Sequence, residues 1–248
     1  MKSRKFLSVV IGLLAGIVLL AGCNQPISER QDDLPESPQS APANPATEPA
    51  NPANAPNGKL AVGDTYHFGQ YDWRVLDVQD DRALLLSEDI IEQKAYNEEW
   101  EDVTWENSTL RIYLNGDFFY QQFDAEEQKS ILEVSNANED NPRFETSGGN
   151  QTKDRVFLLS IGEVIKYFGD SGEFGELKDG KKSYISDQYD SKRVAKFNGS
   201  GSWWWLRSPG GNQDSAAGVI GDGYVGLSGG SVGTEGGVRP ALWLNLES

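Results

Sequence analysis

Apolar side chains occupy both faces of a short segment in the last third of the chain. If residues 202–208 are extended, Trp203, Trp205 and Arg207 point to one side of the strand and Trp204 points to the other. A strand with bulky apolar side chains on both sides belongs to a sheet that is covered on both faces. The pattern therefore predicts a buried strand.

A second segment of this kind lies near the end of the sequence. Over residues 238–244, apolar residues beginning with Val238 share one face, and Arg239 and Trp243 share the opposite face. We expect this segment and the strand at residues 202–208 to be joined in one sheet.

Two arginines in these segments, Arg207 and Arg239, are predicted to be semi-buried among the aromatic side chains. A buried guanidinium needs a partner, so we expect each arginine to bind a carboxylate and to stack on a tryptophan. Trp204, Arg207, Arg239 and Trp243 are thus predicted to be structural residues that hold the sheet together. The alternative is that the two arginines bind an anionic ligand.

Glycine interrupts the chain between those two segments. Residues 216–220 and 224–227 are apolar runs separated by Gly221-Asp222-Gly223. Asp-Gly between two apolar runs favours a type I′ hairpin, in which both central residues have a positive φ. The pattern therefore predicts a glycine-rich antiparallel β-meander.

The earlier part of the chain carries both strand and helix signals. Strands are predicted at residues 60–62, 66–68, 72–78, 83–87 and 157–159. Helices are predicted at residues 109–114, 124–132 and 160–168, with a helical turn within 187–196. Exposed loops are predicted at residues 139–154 and 169–182. The fold class is α+β, with antiparallel sheets, a few short helices and the C-terminal meander.

The first residues match a lipoprotein signal. Residues 1–22 combine a basic start with an apolar run, and residues 20–23 read as a lipobox that ends in Cys23, the only cysteine. We predict that residues 1–22 are removed and that a diacylglycerol lipid on Cys23 anchors the chain to the outer face of the cytoplasmic membrane. The alternative is an uncleaved transmembrane anchor.

Two segments follow the signal. Residues 23–57 are rich in Pro, Ala and Asn, and they have too little apolar surface to offset the entropy lost on ordering. They are predicted to be a disordered tether. Residues 58–248 are long enough to form a core and are predicted to be one globular domain.

The charge of the chain limits its partners. The net charge is −16, and removal of residues 1–22 would make the chain more acidic, because that segment carries three cations and no acid. Nucleic acid is not expected as a partner, since no basic stripe is present to neutralise phosphates. Membrane contact is expected through the lipid on Cys23 alone.

Several motifs carry a family resemblance. The sequences at residues 204–210 (WWLRSPG) and 237–244 (GVRPALWL) resemble an uncharacterised bacterial domain found in surface and secreted proteins of Gram-positive bacteria. The resemblance extends to residues 71–76, 109–115 and 156–160, and so covers nearly all of the chain after residue 58. That family has no established activity, so the resemblance implies no chemistry.

The closing meander is also similar to the C-type-lectin-like and formylglycine-generating-enzyme superfold. This similarity rests on the glycine-rich strands that end in a glycine-x-arginine strand at residues 237–239. A formylglycine-generating enzyme needs functional cysteines, and residues 58–248 contain none. That activity is therefore not expected.

Other kinds of chemistry find little support. His67 is the only histidine, so no zinc site is expected and His67 is assigned a structural role. Asp214, Asp222 and Glu235 are acids near the glycine loops; they could hold calcium, although Asp222 is also a normal turn residue. We expect no cofactor, because the glycine-rich stretch 226–237 lacks the lysine of a phosphate-binding loop.

Two functional hypotheses follow, and neither is tied to a known reaction. The first is a non-catalytic surface module that binds a glycan or a protein through exposed aromatics and a loop acid, here Trp205, Tyr224 and Asp222. The second is a hydrolase that acts on the cell wall through a pair of carboxylates. A purely structural role in an envelope complex is a third alternative.

Overall fold

The computed structural model describes residues 59–177 and 182–247. These residues belong to a single compact unit. None of the helices within them is long and apolar enough to cross a membrane. The predicted signal, Cys23 and the tether at residues 23–57 lie outside the described residues, so these predictions stay open.

The described residues form short strands throughout the chain. In chain order the strands are β1 Thr65–Phe68, β2 Tyr71–Gln79, β3 Arg82–Ser87, β4 Glu92–Ala95, β5 Ile131–Leu132, β6 Val134–Asn136, β7 Thr152–Asp154, β8 Val156–Phe157, β9 Tyr184–Ile185, β10 Ala195–Phe197, β11 Ser200–Ser202, β12 Trp204–Pro209, β13 Ser215–Val219, β14 Val225–Ser231, β15 Glu235–Val238 and β16 Ala241–Asn245.

The helices are short. They are α1 Thr109–Tyr113, α2 Phe119–Gln122, α3 Ala125–Ser130, α4 Ile161–Phe168 and α5 Asp190–Arg193, with 3₁₀ turns at Trp105–Asn107 and Glu173–Glu176 and a π-turn at Leu114–Phe118. The expected sheet-rich architecture with antiparallel sheets and few short helices is confirmed.

Two larger sheets organise the domain. The first has the order β1-β2-β3-β16-β5, with β8 also paired to β16, and all of its pairs are antiparallel. The second has the order β4-β15-β12-β13-β14-β9, and within it only the contact between β12 and β15 is parallel. One continuous core includes buried side chains from both sheets and from α4.

The prediction that the two tryptophan-containing segments share a sheet holds only for the start of the second segment. Val238 ends β15, which pairs with β12 in the second sheet, whereas Trp243 lies in β16 of the first sheet. The chain leaves β15 after Val238 and enters β16 at Ala241, so it crosses between the sheets at Arg239 and Pro240. Proline has no backbone N–H to continue a ladder, which explains why a strand predicted over residues 238–244 breaks here.

The C-terminal meander is confirmed as β12, β13 and β14, but its hairpin turn differs from the prediction. The amide of Gly223 donates to the carbonyl of Ile220 over 2.7 Å, and the amide of Ile220 donates to the carbonyl of Tyr224 over 2.9 Å. Only Gly223, with a φ of 94°, has a positive φ in this turn. The turn is therefore a three-residue loop that ends in a left-handed glycine and not a type I′ turn.

The helices predicted from local sequence signals form where no competing tertiary contact is present. α4 has the predicted capping box, because Ser160 accepts from the amide of Glu163 and Glu163 accepts from the amide of Ser160. α3 has a similar box at Asp124 but ends at Ser130, two residues early. The next two residues pair with β16 as β5, so sheet pairing ends the helix.

The predicted loop at residues 139–154 is partly structured. It ends in β7, which pairs with β6, and the side chain of Asn141 is buried. Asn141 donates to the carbonyls of Pro209, Gly210 and Leu227. Residues 137–151 form no helix or strand and most of them are exposed, as predicted. The buried role of Asn141 was missed, because an amide that bridges two distant segments leaves no trace in the local sequence pattern.

Candidate functional site

The second sheet carries an apolar groove with a volume of about 380 Å³. Its lining consists of three aromatic side chains, Tyr184, Trp203 and Tyr224, together with Ile220, two serines and four glycines. We call this feature the aromatic groove. It spans β13 and β14 and is bounded by β9 and by the residue before β12.

Trp203 is held in place by a second tryptophan. The rings of Trp203 and Trp205 meet edge to face, with centroids 4.5 Å apart and planes at 79°. Trp205 is fully buried, and its indole N–H donates to the carbonyl of Lys94 over 3.0 Å. A rigid, buried ring behind a half-buried one fixes the orientation of the groove wall.

Glycine provides the space that the two indoles occupy. A Cβ atom at Gly236 would lie 2.4 Å from the ring of Trp203 and 2.5 Å from the indole nitrogen of Trp205. At Gly218 and Gly230 a Cβ would touch the Trp203 ring at 3.6 and 3.7 Å. The lack of side chains on these strands therefore leaves room for the indoles and exposes backbone along the groove floor.

The other two aromatic side chains of the lining form a tyrosine pair. Tyr184 in β9 pairs with Gly226 in β14, which brings its ring to 5.7 Å from that of Tyr224 at an angle of 61°. Tyr184 is 45% exposed. Among the residues that the structure describes, the groove lining has no charged side chain. These residues offer ring faces, hydroxyls and backbone groups.

Comparison with known proteins places this sheet within a recognised family. A family described as a domain of unknown function (DUF6273) matches residues 80–246. The chain belongs to the DUF6273 family. No curated protein and no solved structure matches the chain.

The DUF6273 match runs from the turn before β3 to the residue after β16. It includes every residue of the aromatic groove. It begins after β1 and β2, so the resemblance seen at residues 71–76 lies outside the matched part of the chain.

The three residues predicted to bind a ligand lie in different environments in this DUF6273 domain. Tyr224 lines the aromatic groove. The prediction that Trp205 is exposed is wrong, because Trp203, β4 and Tyr96 cover its ring. Asp222 is exposed at the hairpin turn but does not line the groove.

Two groove residues were not predicted as ligand-binding. Strand alternation puts Trp203 and Trp205 on the same side, but it does not show that only Trp203 stays accessible. Tyr184 lies in a two-residue strand whose position depends on pairing with Val225 and Gly226. No local pattern would have placed it beside Tyr224.

Arg207 lies in β12, and its side chain is buried beside the start of α4. It forms a bidentate ion pair with Glu163, and it donates to the carbonyl of Leu158 over 2.8 Å and to that of Ala137 over 3.2 Å. The nearest aromatic ring is Phe157, 5.8 Å away. Arg207 thus has the expected carboxylate, but a phenylalanine stands where a tryptophan was expected.

Arg239 has the expected tryptophan but no carboxylate partner among the described residues. Its guanidinium stacks on Trp204 and donates to the carbonyls of Ser87, Glu88 and Arg193 over 2.9, 2.8 and 3.3 Å. No carboxylate is among its hydrogen-bond partners in the described part of the chain, so that expectation was wrong for this residue. Three backbone carbonyls accept the hydrogen bonds of the guanidinium instead, because the chain crosses between the sheets at Arg239 and passes close to them.

Trp243 in β16 takes no part in either cluster. It is half-buried, and the guanidinium carbon of Arg82 lies 4.7 Å from its ring centroid. It borders a polar cleft of about 370 Å³ that adjoins a second one of about 220 Å³ beside α4. Glu163 lies in both, but its carboxylate already caps α4 and binds Arg207, so it is not free to act as an acid or a base.

The candidate calcium ligands do not come together. Among residues 59–177 and 182–247, no group of three or more His, Cys, Asp or Glu side chains is arranged to hold a metal ion. Asp214 instead accepts from the indole N–H of Trp100 over 3.2 Å. His67 bonds Asp72 over 2.7 Å, and both side chains are about half exposed.

Proposed function

We propose that this protein is a non-catalytic binding module, attached by a lipid on Cys23 to the outer face of the cytoplasmic membrane, and that it holds its ligand in the aromatic groove. The observation that carries this proposal is a concave site lined by three aromatic side chains on a rigid sheet. Sites of this size, apolar with a few polar groups, are typical of ligand binding.

The chemistry of the lining supports binding rather than catalysis. Catalysis of hydrolysis requires a general acid, a base or a nucleophile within reach of the substrate. The groove offers tyrosine and serine hydroxyls, but within the described part of the chain its lining has no carboxylate or histidine to activate them. Aromatic side chains, in contrast, supply much of the binding free energy in recognition sites.

We also propose a C-type-lectin-like arrangement for the domain. The antiparallel meander of β12, β13 and β14, followed by the Gly237-Val238-Arg239 segment at the end of β15, supports it.

The anchor is tested by the chemistry of the mature N-terminus. Cells that produce the full chain should yield a mature protein that begins at Cys23 and carries a diacylglycerol group, seen by mass spectrometry. Cys23→Ser should lose the lipid and leave the membrane fraction. A wild-type chain that keeps residues 1–22 would contradict the proposal.

The groove is tested by ligand screening with matched variants. The full chain should bind at least one component of an array of glycans, cell-wall fragments and extracellular proteins, and Tyr184→Ala and Tyr224→Ala should weaken that binding. Tyr120→Ala is the control, because Tyr120 is an exposed tyrosine on α2 that does not line the groove. Equal binding by all three variants would exclude the groove as the site.

A further inference from the structure

We propose that the ligand of the aromatic groove is an uncharged glycan, bound with its sugar rings against Tyr184, Trp203 and Tyr224. This inference rests on the proposed function, since it names the class of ligand for the same groove. Four features of the groove support it: its charge, the chemistry of its walls, its position on the sheet and its size.

The charge of the described lining favours an uncharged ligand. An ionised group loses its hydration when it enters an apolar site, and only an opposite charge or several hydrogen bonds can compensate. Among the residues that the structure describes, the groove lining has no charged side chain. The chain as a whole carries a net charge of −16, so it repels anionic polymers. A neutral ligand avoids both the desolvation cost and this repulsion.

The walls of the groove match the two sides of a sugar ring. A pyranose has an apolar face of C–H groups, which packs on aromatic rings, and a rim of hydroxyl groups, which needs donors and acceptors. Tyr184, Tyr224 and Trp203 supply the rings. The tyrosine hydroxyls, Ser183 and Ser228 supply hydrogen-bonding groups for the rim.

The position of the groove favours a glycan over an extended peptide. Peptides that add to a sheet bind along an unpaired edge, where they complete the ladder of backbone hydrogen bonds. The groove instead lies across the strands, since Gly218 belongs to β13 and Gly226 belongs to β14, and the two residues are paired. The backbone groups that join Gly218 and Gly226 are already used within the sheet, so ring faces and hydroxyls supply most of the recognition at this pair.

A cationic ligand such as choline is the closest competitor, because aromatic cages bind quaternary ammonium groups. A quaternary ammonium group makes no hydrogen bond, so it would leave unused the hydroxyls that Ser183, Ser228 and the two tyrosines bring to the lining. A groove of about 380 Å³ also has room for a short stretch of a linear glycan.

Calorimetric titration of the full chain tests the inference. The probes are chitohexaose, cellohexaose and maltohexaose as uncharged glycans, a hyaluronan oligosaccharide as an anionic glycan, choline, and an extended proline-rich peptide. We expect at least one uncharged probe to bind, and Tyr184→Ala or Tyr224→Ala to weaken its binding about tenfold or more. Tyr120→Ala and added salt should leave the dissociation constant within about twofold, since screening acts on charges.

Fluorescence gives a second readout that does not depend on affinity. Sugar stacking on Trp203 should shift the indole emission of the wild type, and Trp203→Phe should remove that shift while near-UV circular dichroism reports an intact fold. A shift that persists in Trp203→Phe would place the ligand elsewhere and overturn the inference.

The possible outcomes separate the two proposals. Binding of hyaluronan, choline or the peptide that is lost in Tyr184→Ala and Tyr224→Ala, with no such binding of an uncharged glycan, overturns the inference but keeps the groove as a binding site. Absence of groove-dependent binding for every probe and for the wider array overturns both.

Discussion

The guanidinium carbon of Arg239 lies 5.0 Å from the centre of the Trp204 ring, and neither side chain reaches solvent. Trp204 belongs to the second sheet, and Arg239 lies where the chain crosses to the first. Burial, and then the charge of Arg74, lower the pKa of Arg239 to about 9, so the guanidinium still carries its charge at neutral pH. This contact therefore joins the two sheets through one buried cation.

Arg239→Lys should strongly destabilise the domain. A lysine ammonium lacks the planar fork that reaches three carbonyls while it stacks on an indole. Each buried acceptor left unsatisfied costs about 1–3 kcal/mol, so we expect a loss of about 3 kcal/mol or more in the free energy of unfolding. Urea denaturation of the full chain, followed by tryptophan fluorescence, measures this loss.

Arg82→Lys is the matched control for that experiment. Arg82 lies over Trp243 at 4.7 Å, a similar distance, but it is only half-buried and bonds Gln79. Solvent can replace the contacts of Arg82, so Arg82→Lys should lower the free energy of unfolding by less than about 1 kcal/mol. Equal losses of unfolding free energy in the two variants would show that the burial of Arg239 does not determine its contribution to stability.

Asp154→Asn should break a buried network. The Asp154 side chain is fully buried, and it accepts from the indole of Trp105, from Arg111, from Asn136 and from Thr152 over 3.2, 2.6, 2.9 and 2.7 Å. A neutral amide removes the charge that Arg111 pairs with and turns one acceptor into a donor. Because breaking a buried ion pair costs about 3–5 kcal/mol, we expect Asp154→Asn to lower the free energy of unfolding by about this amount.

The control for Asp154 is Glu133→Gln. Glu133 pairs with Arg155 over 3.2 Å, but both side chains are more than 40% exposed. An exposed pair contributes about 1 kcal/mol at most, so this variant should unfold at nearly the wild-type urea concentration.

Asp187 should make the domain sensitive to acid. Burial alone would raise its pKa, but hydrogen bonds from Arg193 and from the amide of Tyr189, together with the charge of Arg193, outweigh burial and lower it. Because the folded pKa lies below the unfolded one, the unfolded state binds more protons at acid pH. The contribution of Asp187 is therefore complete above the unfolded pKa near 4 and is lost as the pH falls through the folded value.

This pH dependence is measured by the free energy of unfolding at a series of pH values from neutral to strongly acidic. Asp187→Asn should be less stable than the wild type at neutral pH, and the difference should shrink as the pH falls below about 4. A difference that stays constant over the whole range would contradict the role of the Asp187 carboxylate.

Gly229→Ala should distort the floor of the aromatic groove. Gly229 has a φ of 71°, and a Cβ there would lie 2.0 Å from the carbonyl oxygen of Ala216. Gly63→Ala is the control, since Gly63 has a φ of 95° but no atom within 4 Å of a Cβ. Gly63→Ala should cost about 1–2 kcal/mol for its backbone conformation alone. Gly229→Ala should cost more and should also weaken ligand binding.

Local signals explain what the sequence predicted well. The capping box of Ser160 and Glu163 and the glycine-rich turn at Gly223 involve residues within a few positions of each other. Such signals act whatever the rest of the chain does, so α4 and the meander appear where expected. The strands predicted at residues 66–68, 72–78 and 83–87 appear as β1, β2 and β3 for the same reason, because short turns join them. The strand predicted at residues 60–62 does not form.

Long-range pairing explains what the sequence did not show. The alternation at residues 238–244 is compatible with either sheet, and the choice depends on Pro240 and on β3 far away in the chain. The aromatic groove depends on similar contacts, since Tyr184 reaches Tyr224 only through β9 and β14. Only Tyr224 among the groove residues was therefore predicted as a ligand contact.

The place of β16 has a consequence for how the protein is made. β16 is an inner strand of the first sheet, between β3 and β5, and Arg239 just before it bonds the carbonyl of Ser87 across 152 residues. Synthesis begins at the amino end, so β3 waits without this neighbour until nearly all of the domain exists. Contacts so distant in sequence make folding slow. Until the final strand arrives, the apolar β3 is exposed to chaperones, proteases and other unfinished chains.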